Sequence, residues 1–457
     1  MGERMQSGDD SWWLLGYTRR AFLRATSLLA ASLGSAWLAG CSPGGQPKHA
    51  PAPTPTASVQ PSGFVIPTGL GVNIHLSATT RADIIKLAEV GFRVVRLDFS
   101  WNQIERQLGS YDFSHYEPVI ETLAAYGIRP LCILAYNNAL YEHTVAPPHM
   151  SIGPHTDEVR QAFARFAAAA ATHFKGRGIY WEMWNEPDYM PFWYPTPLAD
   201  DYMALAKVTI SAIRQADPQA TIIAPALTGL EPLYQAAWIF LERCLYLGLA
   251  DLVDALSVHS YRFGEPESVT ADYQRLRDLL ARVTPHKQAM PIISSEWGYS
   301  LTWISLEQQA AYFVRLSLLN LLNGLSMSIW YDWRDDGMDP KQVEDNFGLL
   351  TWQNQPKPAY QAAQTLISQL AGFRLVERVA LPASTDYALL FSMGTIHKQV
   401  LWTADLPHTV TLPISTLSVL LTSMTGETHS QAATGGTLKV ELTGNPQYLT
   451  LVSGTKQ

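Results

Sequence analysis

Cysteine is scarce in this sequence, with three residues among 457. Cys132 lies in a short apolar run, which predicts a buried and inert thiol. Its spacing from Cys244 neither requires nor excludes a disulfide, so that pairing stays open. The sequence also contains no His-Glu-x-x-His motif. Neither feature indicates a bound metal ion, and we expect none.

The sequence contains no long basic run. It has 40 acidic and 32 basic residues, which give a net charge of −8. A chain without a basic patch is a poor partner for nucleic acid. Hydrophobic residues make up 47% of the chain and charged residues 16%, which is typical of a globular protein and excludes a disordered one. Its 14 Trp and 20 Tyr residues can fill a core or offer flat faces on which sugar rings stack.

The apolar stretch near the N-terminus, residues 25–37, is too short to span a bilayer comfortably. Residues 18–24 before it resemble a twin-arginine export motif, and the Leu-Ala-Gly-Cys of residues 38–41 resembles the lipobox of bacterial lipoproteins. We therefore expect residues 1–40 to be a signal peptide, Cys41 to be lipidated, and residues 41–63, rich in Pro and Ser, to form a tether. This predicts an exported bacterial lipoprotein at the outer face of the cytoplasmic membrane or at the cell surface. An uncleaved anchor with a chance cysteine is the alternative.

Residues 64–371 alternate between short apolar runs and amphipathic segments. Eight such units in a length of about 250–300 residues predict an α/β fold, the (β/α)8 TIM barrel. A doubly wound open sheet is the alternative, although no Gly-rich nucleotide loop follows the first strand. Residues 372–457 carry short β-type runs between Thr- and Gly-rich turns, which predict a small C-terminal antiparallel β-sandwich. The predicted barrel strands are 70–73, 94–97, 129–134, 180–184, 221–224, 255–258, 291–295 and 326–331.

Two glutamates lie where predicted barrel strands end, which is where the reactive groups of a TIM barrel are found. Glu186 follows the fourth strand in the motif WNEP, residues 184–187, and Glu296 ends the seventh in the motif SEWG, residues 295–298. Cleavage of a glycosidic bond with retention needs two carboxyl groups about 5–5.5 Å apart, one protonated and one ionised. The pair fits this requirement, and the alternative is two surface glutamates with chance neighbours.

These two motifs resemble those of clan A of the glycoside hydrolases, and residues 91–136 fit the same clan. Within it the sequence is most similar to family 39, with family 5 a close second. The resemblance implies that Glu186 is the acid/base and Glu296 the nucleophile. It also implies that Asn185 hydrogen-bonds the 2-hydroxyl of the sugar in subsite −1.

Further residues receive roles from the same resemblance. Arg96 is implied to neighbour Glu296 and keep it ionised, with a salt bridge at the barrel rim as the alternative. His259 is implied to line subsite −1, Tyr261 to donate its hydroxyl to Glu296, and Trp330 to form the platform under the sugar, with core packing as the alternative for Trp330. The remaining candidates for substrate contact are His75, Tyr136 and Trp297.

The expected function is that of a retaining glycoside hydrolase that cleaves β-linked poly- or oligosaccharide by double displacement without a cofactor. Endo action on an exopolysaccharide is the favoured mode. A transglycosylase with the same residues and a non-catalytic polysaccharide-binding lipoprotein are the alternatives. The expected partners are a carbohydrate substrate and, through Cys41 only, a membrane, with the protein itself a monomer.

Overall fold

Eight parallel strands close into a barrel. The computed structural model describes residues 65–451, so the predicted signal peptide, Cys41 and the tether lie outside the described residues. The strands are β1 Leu70–Asn73, β2 Val94–Ser100, β3 Arg129–Ala135, β4 Tyr180–Met183, β5 Thr221–Leu227, β6 Ala255–His259, β7 Ile292–Trp297 and β8 Met327–Trp330. Each strand pairs with the one before it, and β8 pairs with β1. The predicted TIM barrel is confirmed, and all eight predicted strands are present with small shifts at their ends.

Helices cover the outside of the barrel, and local sequence sets their ends. In α1 the Thr80 hydroxyl accepts from the Asp83 N–H while the Asp83 carboxylate accepts from the Thr80 N–H, and Gly91 ends the helix with a φ of 107°. The helices are α1 Arg81–Val90, α2 Trp101–Ile104, α3 Glu117–Ala125, α4 Asp157–His173, α5 Ala199–Ala216, α6 Gln235–Tyr246, α7 Leu249–Leu252, α8 Val269–Val283, α9 Leu306–Leu322 and α10 Pro358–Leu370.

Side chains along each barrel strand alternate between the barrel interior and the helix layer. In β2, Val94 belongs to the interior cluster, while Val95 and Leu97 pack with the helices. Arg96 and Asp98 follow Val94 on the same inner face. The barrel therefore holds an arginine in its interior, and a buried charge of this kind must be paired to be tolerated.

Beyond α10 the chain forms eight further strands, β9 Arg374–Arg378, β10 Asp386–Met393, β11 Ile396–Thr403, β12 His408–Pro413, β13 Ser418–Ser423, β14 Thr428–Ala432, β15 Thr437–Leu442 and β16 Gln447–Leu451. They make two antiparallel sheets, a six-stranded one in the order β14-β13-β16-β11-β10-β9 and a pair, β12-β15. Buried residues of both sheets share one cluster, so the sheets face each other and the predicted sandwich is confirmed. The sequence did not predict β9, β13 or β14, and β9 and β14 are largely polar.

The six-stranded sheet has a second buried face that packs against the barrel. Trp402 in β11 stacks on Tyr387 with ring centroids 4.6 Å apart, and its indole N–H donates to Glu267 Oε1 at 2.8 Å. Glu267 also accepts from Arg315 of α9 at 2.9 Å. These contacts join the C-terminal sheets to the flank of the barrel.

Cys132 and Cys244 are both buried and are not joined in a disulfide. The thiol of Cys132 lies in β3, as its apolar neighbours predict, and burial raises its pKa above the usual value. Among the described helices, none is both long enough and apolar enough to cross a bilayer.

We expect Trp402→Ala to destabilise the protein by about 3–5 kcal/mol, because it removes a fully buried ring and one of the hydrogen-bond donors to Glu267. Urea unfolding followed by circular dichroism measures the change. The matched control is Trp352→Ala, since Trp352 is 43% exposed and its loss should cost less than about 1 kcal/mol. Equal stability of the two variants would show that Trp402 does not hold the sheets to the barrel.

Candidate active site

Arg96 lies at the centre of the barrel mouth and is 1% exposed. Although burial opposes its charge, the carboxylates of Glu182 and Glu296 raise its pKa above the usual value, so it stays protonated. The guanidinium contacts side chains from four other strands or the turns that follow them. Its partners are Glu182 Oε2 at 2.6 Å, Asn73 Oδ1 at 3.1 Å, Glu296 Oε2 at 2.6 Å, Asn185 Oδ1 at 2.8 Å and His259 Nε2 at 3.4 Å.

The two predicted catalytic glutamates both lie close to His259. Its Nδ1 is 2.8 Å from Glu186 Oε1 and 3.8 Å from Glu296 Oε1. One carboxylate oxygen of each glutamate lies within 4.8 Å of the other. The Tyr261 hydroxyl donates to Glu296 Oε1 at 2.7 Å, so each oxygen of Glu296 accepts a hydrogen bond. The structure therefore brings together Glu186, Glu296, Asn185, Arg96, His259 and Tyr261. The expectation that His259 lines subsite −1 is corrected, because its side chain is fully buried against the two glutamates.

The backbone around Glu186 adopts conformations that non-glycine residues rarely take. Trp184 has a φ of 68° and Glu186 a φ of 46°, both in the left-handed region. The Trp184 N–H donates to Leu134 O at 3.2 Å, and the Glu186 N–H donates to Ala226 O at 3.0 Å. Strands β3 and β5 thus hold the turn from both sides. Strain of this kind persists where the surrounding structure enforces it, which is common at active sites.

A cavity of about 260 Å³ opens above these residues. Its walls include both glutamates, Asn185, Arg96 and Tyr261, and also two of the weaker candidates, His75 and Tyr136. This volume is slightly below the roughly 300 Å³ at which ligand sites usually begin. The cavity therefore suits a small polar ligand such as one sugar ring.

Trp330 and Trp297 do not line this cavity, so the structure corrects the expectation that they contact substrate. Their indole rings meet edge to face with centroids 4.9 Å apart, and both pack against Phe313 of α9. Strand alternation explains Trp330: Met327 and Ile329 face the barrel interior, so Trp330 faces the helices. For Trp297, the pairing of β7 with β8 shifts register between Ser294 and Trp297, which turns its side chain outward.

Tyr331 lines the cavity in place of Trp330. It follows Ile329 by two residues, so its ring continues the inner face of β8. The same alternation could have identified it from the sequence. Two further inward residues received no role from the sequence, Glu182 of β4 and Asp98 of β2. Glu182 is fully buried and accepts from Arg96 Nε, and Asp98 lines the cavity.

An aromatic wall closes the side of the cavity next to β3 and β4. The Tyr136 ring stacks on Phe192 at 5.8 Å and meets Trp184 edge on at 5.5 Å. Behind this wall Trp193 is fully buried, and a Cβ added to Gly153 would lie 2.3 Å from its ring. The loops that follow β3 and β4 are therefore packed as one unit.

The opposite side, next to β8, β1 and β2, is charged. His75 Nε2 lies 3.3 Å from Asp336 Oδ1 and 3.7 Å from Asp332 Oδ2. Burial lowers the pKa of His75, but the hydrogen bond to Asp336 and the charges of Asp332 and Asp98 outweigh it and raise the pKa to about 10. His75 is therefore a cation at neutral pH. We call His75, Asp98, Asp332 and Asp336 the acidic arc.

Comparisons with known proteins agree with this geometry. A β-xylosidase from Caldicellulosiruptor saccharolyticus is 22% identical over 297 residues, which are 58% of this chain and 58% of that protein. The chain thus spans a little over half the length of the curated relatives it matches. A family 39 glycoside hydrolase from Bacteroides cellulosilyticus WH2 superposes with a TM-score of 0.74 at 26% identity, over 84% of this chain and 81% of that one. A family 39 β-xylosidase from Caulobacter crescentus shares the fold, with a TM-score of 0.64 at 18% identity over 86% and 98% of the two chains.

The model of the family described as cellulase (glycosyl hydrolase family 5) matches residues 59–336. This is well over half of the 457 residues, and it includes Glu186, Glu296 and all eight barrel strands. The expected resemblance to clan A is confirmed. The chain belongs to the family described as cellulase (glycosyl hydrolase family 5) and, with it, to clan A of the glycoside hydrolases.

Proposed function

We propose that this protein is a retaining β-glycosidase in which Glu186 is the acid/base and Glu296 the nucleophile. The observation that carries the proposal is the approach of the two carboxylates to within 4.8 Å. Retaining glycosidases keep these groups roughly 5–5.5 Å apart, whereas inverting enzymes need roughly 6.5–9.5 Å to admit a water molecule between carboxylate and sugar. The separation in this barrel favours direct attack by a carboxylate.

The reaction has two steps. Glu296 attacks the anomeric carbon while Glu186 gives its proton to the leaving oxygen, which breaks the glycosidic bond and forms a glycosyl ester. Glu186 then takes a proton from water, the water oxygen attacks the anomeric carbon, and Glu296 leaves with the configuration of the sugar retained. None of these steps calls for a cofactor.

The residues around the pair have distinct positioning tasks. Arg96 and Tyr261 donate to the two oxygens of Glu296 at 2.6 and 2.7 Å, which orients the carboxylate and favours its ionised form. Asn185 Oδ1 accepts from Arg96, which leaves the amide N–H groups of Asn185 to donate to the 2-hydroxyl of the sugar. Tyr331 replaces Trp330 in our proposal as the aromatic face at the sugar.

The substrate class is proposed to be a β-linked glycan. The similarity to proteins named β-xylosidases and to a family 39 hydrolase supports this class and kinship with family 39 inside the clan. Endo action on an exopolysaccharide stays a prediction. A second mode, removal of one terminal sugar at a time, is favoured by the small volume of the cavity, about 260 Å³.

We expect Glu296→Gln to lower kcat on an aryl β-glycoside by roughly 10⁴-fold or more, because an amide cannot form the ester. Glu186→Gln should lower kcat about 10²–10⁴-fold on an unactivated disaccharide. On a dinitrophenyl glycoside, Glu186→Gln should slow formation of the glycosyl ester much less, because the dinitrophenolate leaving group needs no proton. Stopped-flow and steady-state kinetics on both substrates measure these effects.

The control for both variants is Glu121→Gln, since Glu121 has a side chain 68% exposed on α3. Its kinetics should equal those of the wild type. Near wild-type turnover by Glu296→Gln would contradict the assignment of the nucleophile. If Glu186→Gln slowed formation of the glycosyl ester equally on both substrates, the role of Glu186 as the acid would be contradicted.

Chromatography of products from a β-linked oligosaccharide labelled at its reducing end separates the modes of action. Endo action predicts labelled fragments of several lengths at the earliest time points, whereas removal of terminal sugars predicts free monosaccharide and a labelled product that is one sugar shorter than the substrate. Products longer than the substrate would support the transglycosylase alternative. Glu296→Gln serves as the blank reaction.

Membrane anchoring through a lipid on Cys41 is also proposed, and it rests on the sequence motif alone. Cys41→Ser should prevent incorporation of labelled fatty acid and release the protein from the membrane fraction of a bacterial host. Ser42→Ala is the matched control and should stay with the membrane. Unchanged fractionation of Cys41→Ser would contradict lipid anchoring at this residue.

A further inference from the structure

Two residues of the acidic arc, His75 and Asp98, line the part of the cavity that receives the glycone, the sugar on the non-reducing side of the cleaved bond. Asp332 and Asp336 contact His75 and do not line the cavity. This inference rests on the proposed function. Glu186 follows β4 and protonates the leaving oxygen, so the leaving group lies on the β4 side. The glycone ring then extends across the mouth toward β8, β1 and β2, and its atoms remote from the anomeric carbon meet His75 and Asp98.

Negative charge exceeds positive charge in the arc. His75 supplies its one cation, while Asp98, Asp332 and Asp336 supply three carboxyl groups. Burial and the charge of Asp336 raise the pKa of Asp332 well above its usual value, and burial also raises the pKa of Asp98. An ammonium group brought next to these carboxyl groups favours their ionised forms.

Two carboxyl groups of the arc have oxygen atoms that accept no hydrogen bond from any donor within residues 65–451. The Asp98 carboxylate lines the cavity and interacts with His75 and Arg96 through charge, but no described donor forms a hydrogen bond with it. Asp332 is 1% exposed, and its Oδ1 has no hydrogen-bond partner among the described atoms. Of the two, Asp98 lines the cavity, so a ligand that brings hydrogen-bond donors to this side is favoured.

An anionic sugar would find no cation ready to receive it. Among the described residues that line the cavity, Arg96 is the permanent cation. Its N–H groups already form hydrogen bonds with Glu182, Glu296 and neighbouring side chains. His75 is already held by Asp336. A carboxylate on the glycone would thus approach aspartates without compensation, and like charges repel strongly at low dielectric.

We propose that the acidic arc selects the glycone by charge: it favours a sugar with an ammonium group remote from the anomeric carbon and rejects a uronic acid. A neutral sugar, which donates through hydroxyl groups, binds with intermediate affinity. Asp98 is the specificity-determining residue, because its carboxylate lines the cavity and has no protein donor to satisfy it.

The test uses three glycosides that differ only at C6: the methyl β-glycosides of 6-amino-6-deoxyglucose, glucose and glucuronic acid. Affinity is measured by calorimetry at neutral pH with the Glu296→Gln protein, so that turnover does not interfere. We expect the amino sugar to bind about tenfold more tightly than glucose, the difference between a charge-assisted and a neutral hydrogen bond. The uronic acid should bind most weakly.

Asp98→Asn in the same background should remove most of the difference between the amino sugar and glucose, while Asp278→Asn, a change of charge on exposed α8, should leave it intact. Asp336→Asn is the second variant should Asp98→Asn not fold. Equal affinity for the three glycosides, or tightest binding of the uronic acid, would overturn the proposal. So would an unchanged preference in both arc variants.

Failure of the two proposals can be told apart. If the wild type has no glycosidase activity but the charge order holds, the proposed function fails and the charge-selective arc stands as a binding site. If turnover occurs with the expected loss in Glu296→Gln but the charge order is missing, the arc proposal alone fails.

Discussion

The buried charge of Arg96 is the constraint on which the mouth of the barrel depends. A guanidinium 1% exposed in a barrel interior is tolerated only with full pairing. Glu182 and Glu296 supply the opposite charges, and Asn73, Asn185 and His259 fill the remaining positions around it. The cation therefore fixes Glu296 from one side, and through Asn185 and His259 it also fixes the surroundings of Glu186. The buried ion network and the proposed catalytic site share the same residues.

The two sides of the cavity differ in physical character. Next to β3 and β4, aromatic rings and a strained turn form a wall with little polar surface. Next to β8, β1 and β2, carboxyl groups surround a protonated His75. A sugar has both apolar ring faces and polar hydroxyl groups, and the two sides of the cavity offer a matching surface to each. The two glutamates that we propose as catalytic lie between these sides, so in our proposal specificity and chemistry depend on different residues.

Much of the fold and of the candidate site could be predicted from the sequence, because the pattern of apolar residues is periodic. Apolar runs alternating with amphipathic segments predicted the barrel, and strand-end position predicted Glu186 and Glu296. The prediction was wrong for Trp330 and Trp297, where the direction of a side chain depended on strand register. One residue of offset moves a side chain to the other face, and the register shift before Trp297 has no signature in a single sequence. Asp98 and Tyr331 could have been found by extending the alternation of β2 and β8 to their last residues.

The close contact between Gly153 and Trp193 limits how the aromatic wall can change. A side chain at residue 153 would overlap the indole ring, so neither position accepts a larger or shifted group alone. Any remodelling of this wall, by evolution or by design, requires coordinated substitutions in the loops after both β3 and β4. Asp98, on the opposite side of the cavity, accepts no hydrogen bond from a described donor, so Asp98→Asn changes charge without breaking such a bond. Under the proposed function, changes of substrate preference should therefore arise more readily on the glycone side than on the leaving-group side.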